Sequence, residues 1–269
     1  MKPYPETPPG LVREHDGPVL RLRFDRPDRR NSLTDPIVYA LTDTVDAAAS
    51  DEAVRVIHLE GEGDHFCSGF DLAERTPGPE RPRVGSVHRR MNAHVNRLIP
   101  ALLTCQTPIV CTARGWVIGL GLDILLATDF AVVADDARLW APFTTFAFTP
   151  DSAASWLIPR LAGVARAREM LMLGEKVSGA DAATWGLVHR AVPALELDAA
   201  SKGLVDRLAA APTVAVGLTK LLVYRGLTSE LNSHLADEAW AMEVASRSDD
   251  FREYGQAAKD KREPRFTGQ

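Results

Sequence analysis

Apolar positions along this chain follow two spacings, and the switches between them mark out the elements. Leu11 to Phe24 alternates apolar and polar residues on either side of Asp16–Gly17, a strong two-residue turn signal, which predicts a β-hairpin. Ile37, Leu41 and Val45 then recur every four residues behind Thr34, a good N-cap, and Pro36, which suits a first helical turn. A helix to about Ala49 follows from this. Val54 to Glu60, Pro108 to Thr112 and Phe130 to Ala134 are short apolar runs that predict strands. Met91, Val95, Leu98 and Leu102 place a helix over Val87 to Thr104. Helices are expected over Asp151 to Leu161 and Val164 to Leu173, separated by Gly163. From Ala180 onward the pattern is helical except for a short strand around Val188 to Val192. Strands alternating with helices predict right-handed β-α units and a largely parallel sheet. We therefore expect an α/β core over residues 1–193 and a helical C-terminal region over 194–269. Glu230 to Ala245 carries Leu231, Leu235, Ala239, Met242 and Val244, an apolar surface suited to covering a neighbour in cis or in another subunit.

Composition narrows the function classes. The 269 residues are 45% hydrophobic, enough for a sizeable core, and the net charge of −5 argues against nucleic-acid binding. No apolar run approaches the length of a membrane span, and the first ten residues lack the apolar stretch of a secretion signal. Three cysteines (Cys67, Cys105 and Cys111) match no metal spacing, so a reducing cytoplasm without a metal site is the expectation. Cys67 reads as a small packed thiol with nothing beside it to activate it. Residues 74 to 87, rich in Pro, Arg and Gly, suggest a mobile surface loop.

The stretch PIVCTARGWVIGLGLDILLATD, from Pro108 to Asp129, joins a strand, a glycine-containing turn and a helix that starts near Gly119. Unpaired N–H groups at such a helix start can hold a phosphate or an oxyanion that develops during reaction. There is no phosphate-loop signature, and neither a HExxH nor a GxSxG motif is present. A second glycine segment, FCSGFDL (Phe66 to Leu72), reads alone as a strand-end turn; paired with the first, it reads as part of a site.

These segments resemble the crotonase family of enoyl-CoA hydratases and isomerases. RPDRRNSL (Arg26 to Leu33), FCSGFDL, the Pro108–Asp129 stretch, PDSAASWLIPRLAG (Pro150 to Gly163), ADAATWGLVHRAV (Ala180 to Val192) and the chain's last segment are each similar to the family's motifs, in order. The resemblance implies a spiral of ββα units with a helical C-terminal part, an acyl-CoA substrate with no other cofactor, and a homotrimer or hexamer. It implies that the N–H groups of Phe70 and Leu120 hold the thioester oxygen, with substrate contacts at Arg30, Ser32, Ser68, Gly69, Phe70, Asp71, Leu72, Trp116, Leu120, Gly121 and Phe143. The arginines Arg26, Arg29 and Arg30 occupy the turn similar to the family's CoA-contacting stretch.

The proton-transfer groups depart from the family's hydratase pattern. One glutamate position holds Asp123, whose carboxylate sits about 1.5 Å, roughly one bond, shorter. The other, twenty residues on, holds Phe143, which transfers no proton. Asp151 opens the next helix at the place that marks relatives resembling ring-1,2-epoxyphenylacetyl-CoA isomerase, some enoyl-CoA isomerases and 4-chlorobenzoyl-CoA dehalogenase. It reads equally as the N-cap of a helix from Ser152. A pocket of Trp140, Phe143, Phe146 and Phe148 around it would raise its pKa. The dehalogenase reading needs a histidine where Asn96 stands; His88 and His94 lie nearby without needing to face the pocket. The expected activity is an acyl-CoA isomerase of the double-bond or epoxyphenylacetyl type using Asp151 and Asp123. An enoyl-CoA hydratase of fatty-acid breakdown and a non-catalytic acyl-CoA-binding homologue stand as alternatives.

Overall fold

The computed structural model describes residues 2–71, 73, 83–93 and 95–269. In chain order the strands are β1 (Leu11–Asp16), β2 (Val19–Phe24), β3 (Val56–Gly61), β4 (Ile109–Ala113), β5 (Trp116–Ile118), β6 (Phe130–Ala134), β7 (Arg138–Trp140), β8 (Lys176–Ser178) and β9 (Arg190–Val192). The helices are α1 (Asp35–Ala48), α2 (Ser86–Ala93), α3 (Leu98–Thr104), α4 (Leu120–Leu126), α5 (Ala154–Met172), α6 (Gly179–Thr184), α7 (Leu197–Ala209), α8 (Thr213–Gly226), α9 (Leu231–Ala245) and α10 (Asp249–Asp260).

Six strands form one sheet in the order β1-β2-β3-β4-β6-β9, antiparallel only in the β1–β2 hairpin. A second sheet, β5-β7-β8, lies beside it. The chain climbs as the expected spiral: β4 feeds the large sheet, β5 the small one, α4 returns, and β6 and β7 repeat the step. Sequence periodicity missed β5, β7 and β8 because each has three residues, too few to show an alternation.

The pleat sorts each strand's residues between two faces. Leu20, Leu22 and Phe24 of β2, Ile57 and Leu59 of β3, and Ile109 and Cys111 of β4 belong to the main core, with Ile37, Leu41 and Val45 of α1. On the other face Val19, Val56 and Val110 pack with Val205 of α7. The predicted helix over Val87 to Thr104 is broken: α2 ends at Ala93, a 3-10 turn spans Val95–Arg97, and α3 restarts at Leu98. Pro100 accounts for the restart, since it cannot donate to the carbonyl of Asn96 and is tolerated in a first turn. Residues 74–82 of the predicted loop, together with Leu72 and His94, lie outside the described residues. Gly163 (φ 78°, ψ 163°) splits α5 where expected. α9 leaves its apolar side open, with Leu231, Leu235, Trp240 and Met242 all more than half exposed.

The face under α7 also carries a buried histidine. His58 Nε2 lies 2.7 Å from Thr112 Oγ1, and Nδ1 lies 3.4 Å from an Arg21 guanidinium nitrogen. Arginine only donates, so Nδ1 accepts and Nε2 carries the proton. Burial, and then the Arg21 charge, push the His58 pKa down to about 4. The unfolded chain takes up that proton near pH 6.5 and the folded one does not, so the neutral ring stabilises fully above 6.5 and progressively less as pH falls toward 4. The loss amounts to about 3 kcal/mol. Urea unfolding at pH 7 and pH 4.5 is expected to show this decline in wild type and a flatter profile in His58→Gln; equal slopes would refute it.

Candidate active site

Two glycine segments from distant parts of the chain meet at one end of the small sheet. Phe66, fully buried against Phe24, donates its N–H to Arg114 O at 2.9 Å. Cys67 N–H reaches Trp116 O at 3.1 Å, and Cys67 O accepts from Ile118 N–H at 2.9 Å, so this stretch runs as a further strand beside β5. The chain then turns at Gly69 (φ 86°). Leu33 N–H donates to Gly69 O at 2.8 Å and Asp71 N–H to Leu33 O at 2.8 Å, which fixes the Phe70 peptide from the other side.

The fit leaves no room for side chains. A Cβ on Gly69 would fall 2.8 Å from Ile118 O and 3.6 Å from Leu120 N. A Cβ on Gly121 would fall 2.7 Å from Cys67 Cβ. Gly119 (φ 53°, ψ −123°) swings the chain into α4, so Leu120 is its first residue and its N–H has no partner within the helix. Gly69 is thus brought against Leu120, and Gly121 against Cys67, and the leucine in the glycine run occupies an ordinary helical position.

Cys67 is part of this frame. Its Sγ accepts the Gly69 N–H at 3.3 Å, and burial pushes its pKa up to about 12, so the thiol packs and does not react. Asn31 and His65 were not singled out from the sequence. Asn31, buried at φ 56°, accepts from Arg26 N–H at 2.8 Å and donates to the carbonyls of Glu62 and His65 at 2.9 and 2.7 Å. His65 Nδ1 accepts from Trp116 N–H at 3.3 Å. The signal for Asn31 was present, because asparagine tolerates a left-handed turn and bonds nearby backbone.

Ser32, Asp71 and Arg26 bind one another. Ser32 Oγ donates to Asp71 Oδ2 at 3.1 Å, Arg26 Nη2 to the same oxygen at 3.3 Å, and Arg26 Nη1 to Ser32 O at 2.8 Å. Burial alone would raise the Asp71 carboxyl, but the Ser32 hydroxyl, the Ala73 N–H and Arg26 outweigh it and hold it below the usual range. Arg29 and Arg30 remain exposed on the turn. Ser68 N–H donates to Arg30 O at 2.9 Å and Ser68 Oγ to Arg29 O at 3.3 Å, tying that turn to the Gly69 segment. Trp116 faces a cluster on the small sheet, with Trp140 at 6.3 Å and the Arg138 guanidinium at 5.2 Å.

One carboxylate stands at this junction, and a second is near enough for its charge to act on the first. Asp123, in the first turn of α4, is completely buried, and neither of its oxygens has a hydrogen-bond partner among the described residues. Burial, and then the nearby charge of Asp151, push its pKa well above the ordinary value. Asp151 is exposed on the wall of a cavity of about 860 Å³ that α2, α3 and residues 148–156 enclose. It is not the N-cap of a helix from Ser152. Ser152 and Ala153 adopt left-handed φ values of 49° and 70°, α5 begins at Ala154, and Ala154 N–H donates to Asp151 O at 3.0 Å. Ser152 Oγ donates to Asp151 Oδ1 at 3.1 Å, orienting the carboxylate.

The expected aromatic box does not form. Of its four rings only Phe148 lines the cavity; Phe143 lies 8% exposed in the core, and Trp140 packs with Phe146 at 5.8 Å in the small-sheet cluster. Trp156 lines the cavity instead, and His88 and Asn96 both stand on its wall.

A buried, unpartnered carboxyl costs the fold stability. Asp123→Asn is expected to raise unfolding free energy near pH 8 by at least about 1–3 kcal/mol. Because the folded pKa is raised, wild type loses stability as pH climbs above 3.8, so the gap closes toward pH 4. A gap independent of pH, followed by denaturant titration, would contradict this.

The site's relatives are enzymes of one family. The family model described as enoyl-CoA hydratase/isomerase matches residues 14–269. The chain is 32% identical over 250 residues to the 1,2-epoxyphenylacetyl-CoA isomerase of Escherichia coli, covering 93% of this chain and 95% of that one. It is 32% identical over 247 residues to a Rhodobacter capsulatus protein named probable enoyl-CoA hydratase, covering 92% and 93%. The solved structure of an enoyl-CoA hydratase from Bacillus anthracis superposes with a TM-score of 0.89 at 27% identity, covering 97% of this chain and 100% of that one.

Proposed function

The chain belongs to the enoyl-CoA hydratase/isomerase family, and from that premise we propose that it is an acyl-CoA isomerase rather than a hydratase. The observation that carries this reading is the placement of the acids. Asp151 stands on the cavity wall and its charge acts on the buried Asp123, while Phe143, at the position similar to the hydratases' second glutamate, is a core residue.

In this reading the thioester oxygen accepts from the N–H groups of Phe70 and Leu120. Each such donor typically lowers the barrier by about 3–4 kcal/mol as charge gathers on that oxygen. Asp151 removes a proton from the carbon beside the thioester. The electron pair moves onto the thioester oxygen, and Asp151 returns the proton two carbons further along, which shifts the double bond without adding water. Burial raises the Asp123 pKa well above its ordinary value, which disfavours a second negative charge beside the enolate. The substrate is an acyl-CoA thioester, with the exposed Arg29 and Arg30 available to its phosphates. The open side of α9 supports assembly as a homo-oligomer.

Incubation of a 3-enoyl-CoA in heavy-oxygen water tests the reaction. Conversion to the conjugated isomer without added mass is the expected result. Labelled hydroxyacyl product would establish hydration instead, and tight acyl-CoA binding with no turnover would establish a non-catalytic protein. Asp151→Asn is expected to lower isomerase turnover about a hundredfold; unchanged turnover would remove Asp151 from the mechanism.

A further inference from the structure

The cavity has a polar rail that the reaction does not use. His88, Asn92 and Asn96 recur every four residues along α2 and the turn after it, so they stand one above another on the cavity side. They are hydrogen-bonded in series, Asn96 Nδ2 to Asn92 Oδ1 at 2.8 Å and Asn92 Nδ2 to His88 Nε2 at 3.1 Å. Asn96 ends the series, and its remaining amide oxygen has no partner among the described residues. Were both amides turned over, the series would end in an open N–H instead, so the exposed end of the series offers a hydrogen-bonding atom on a residue of the cavity lining either way. The rest of the lining mixes apolar and aromatic side chains, Ile99, Leu103, Phe148 and Trp156 among them, with the polar Thr149, Asp151, Ser152 and Ser155. Trp156 is itself braced by the Arg160 guanidinium 4.1 Å from its ring centre.

Size and polarity together constrain the occupant. About 860 Å³ is in the upper part of the range for small-molecule pockets, roughly 300–1,000 Å³. A four-carbon acyl chain fills little of it. A large, purely apolar acyl group would cover the end of the rail without replacing its hydrogen bond to water, which is unfavourable.

We propose that the acyl group is an aromatic or alicyclic ring bearing a hydrogen-bonding substituent away from the thioester, and that Asn96, oriented by Asn92 and His88, reads that substituent. The proposal rests on the reading of the cavity as an acyl-CoA site and adds the substrate class to it.

Calorimetric titration with non-reacting thioesters tests it apart from turnover. Hydrocinnamoyl-CoA is compared with its ortho-, meta- and para-hydroxylated forms. Wild type is expected to bind at least one hydroxylated form about tenfold more tightly than the parent. In Asn96→Leu that preference is expected to shrink to about twofold or less while the parent binds at least as well as before, and Asn92→Ala is expected to fall between. Equal binding of the parent and every hydroxylated form by wild type, or a preference that Asn96→Leu retains, overturns the proposal. Binding of none of the thioesters overturns it together with the acyl-CoA reading. A clear preference without double-bond movement in the separate turnover assay supports it and refutes only the isomerase assignment.

Discussion

Gly69→Ala is expected to lower kcat by about 10²–10³ while the protein remains folded. Two effects combine at this position. At φ 86° an alanine is strained, costing roughly 1–3 kcal/mol. Its Cβ would also fall 2.8 Å from the carbonyl oxygen of Ile118. That oxygen belongs to β5, which is held by Ile118 N–H to Cys67 O and by the ladder to β7, so it gives way little. The Gly69 segment must move instead, and the Phe70 N–H moves with it, away from the thioester oxygen that the proposed mechanism has it share with Leu120. Loss of one such donor costs about 10²–10³ in turnover. The effect should fall mainly on kcat, because the donor acts on charge that develops in the transition state. Gly163→Ala provides the control. It has a similar φ of 78° in open space far along α5, so it is expected to lower thermal stability without lowering kcat. Steady-state kinetics on both variants decide the matter, and a Gly69→Ala enzyme within threefold of wild type would sink the role given to this turn.

Lys220→Ala is expected to destabilise the fold by about 3–5 kcal/mol. The Lys220 side chain of α8 is 4% exposed, and its Nζ lies 2.8 Å from Asp129 Oδ2. It also donates to Leu102 O at 2.9 Å and Thr107 O at 3.5 Å, at the end of α3 and the entry to β4. Asp129 Oδ2 accepts the Ile109 N–H at 2.8 Å as well. Burial keeps the Asp129 carboxyl above its usual range in spite of the lysine. Removing the lysine therefore leaves a buried acid without its counter-charge and frees two carbonyls. The double variant Lys220→Met with Asp129→Asn is expected to recover a large part of the loss, since it removes both charges and keeps an amide oxygen to accept the Ile109 N–H. Urea denaturation of the two proteins measures this directly, and a single variant within about 1 kcal/mol of wild type would show that the pair contributes little.

Much of the architecture was legible in the chain itself. Asp16–Gly17 placed the hairpin, Ile37, Leu41 and Val45 placed α1, and the apolar runs placed β3, β4 and β6, because burial on a face of fixed period writes itself into neighbouring residues. The two glycine segments were legible too, since their backbone leaves no space for a side chain at Gly69 and Gly121. The break between α2 and α3 is signalled by Pro100, a weaker cue than the apolar periodicity that runs through it. Other features depended on partners remote in sequence. No local pattern could say that Trp140 and Phe146 turn to the small sheet while Trp156 takes the cavity wall, that Lys220 reaches Asp129, or that Asn31 spans two carbonyls of the loop before Phe66. Local spacing records which side of an element is covered. What covers it, and how strongly a buried carboxyl such as Asp123 feels its surroundings, is settled only when the chain has closed and water has been excluded.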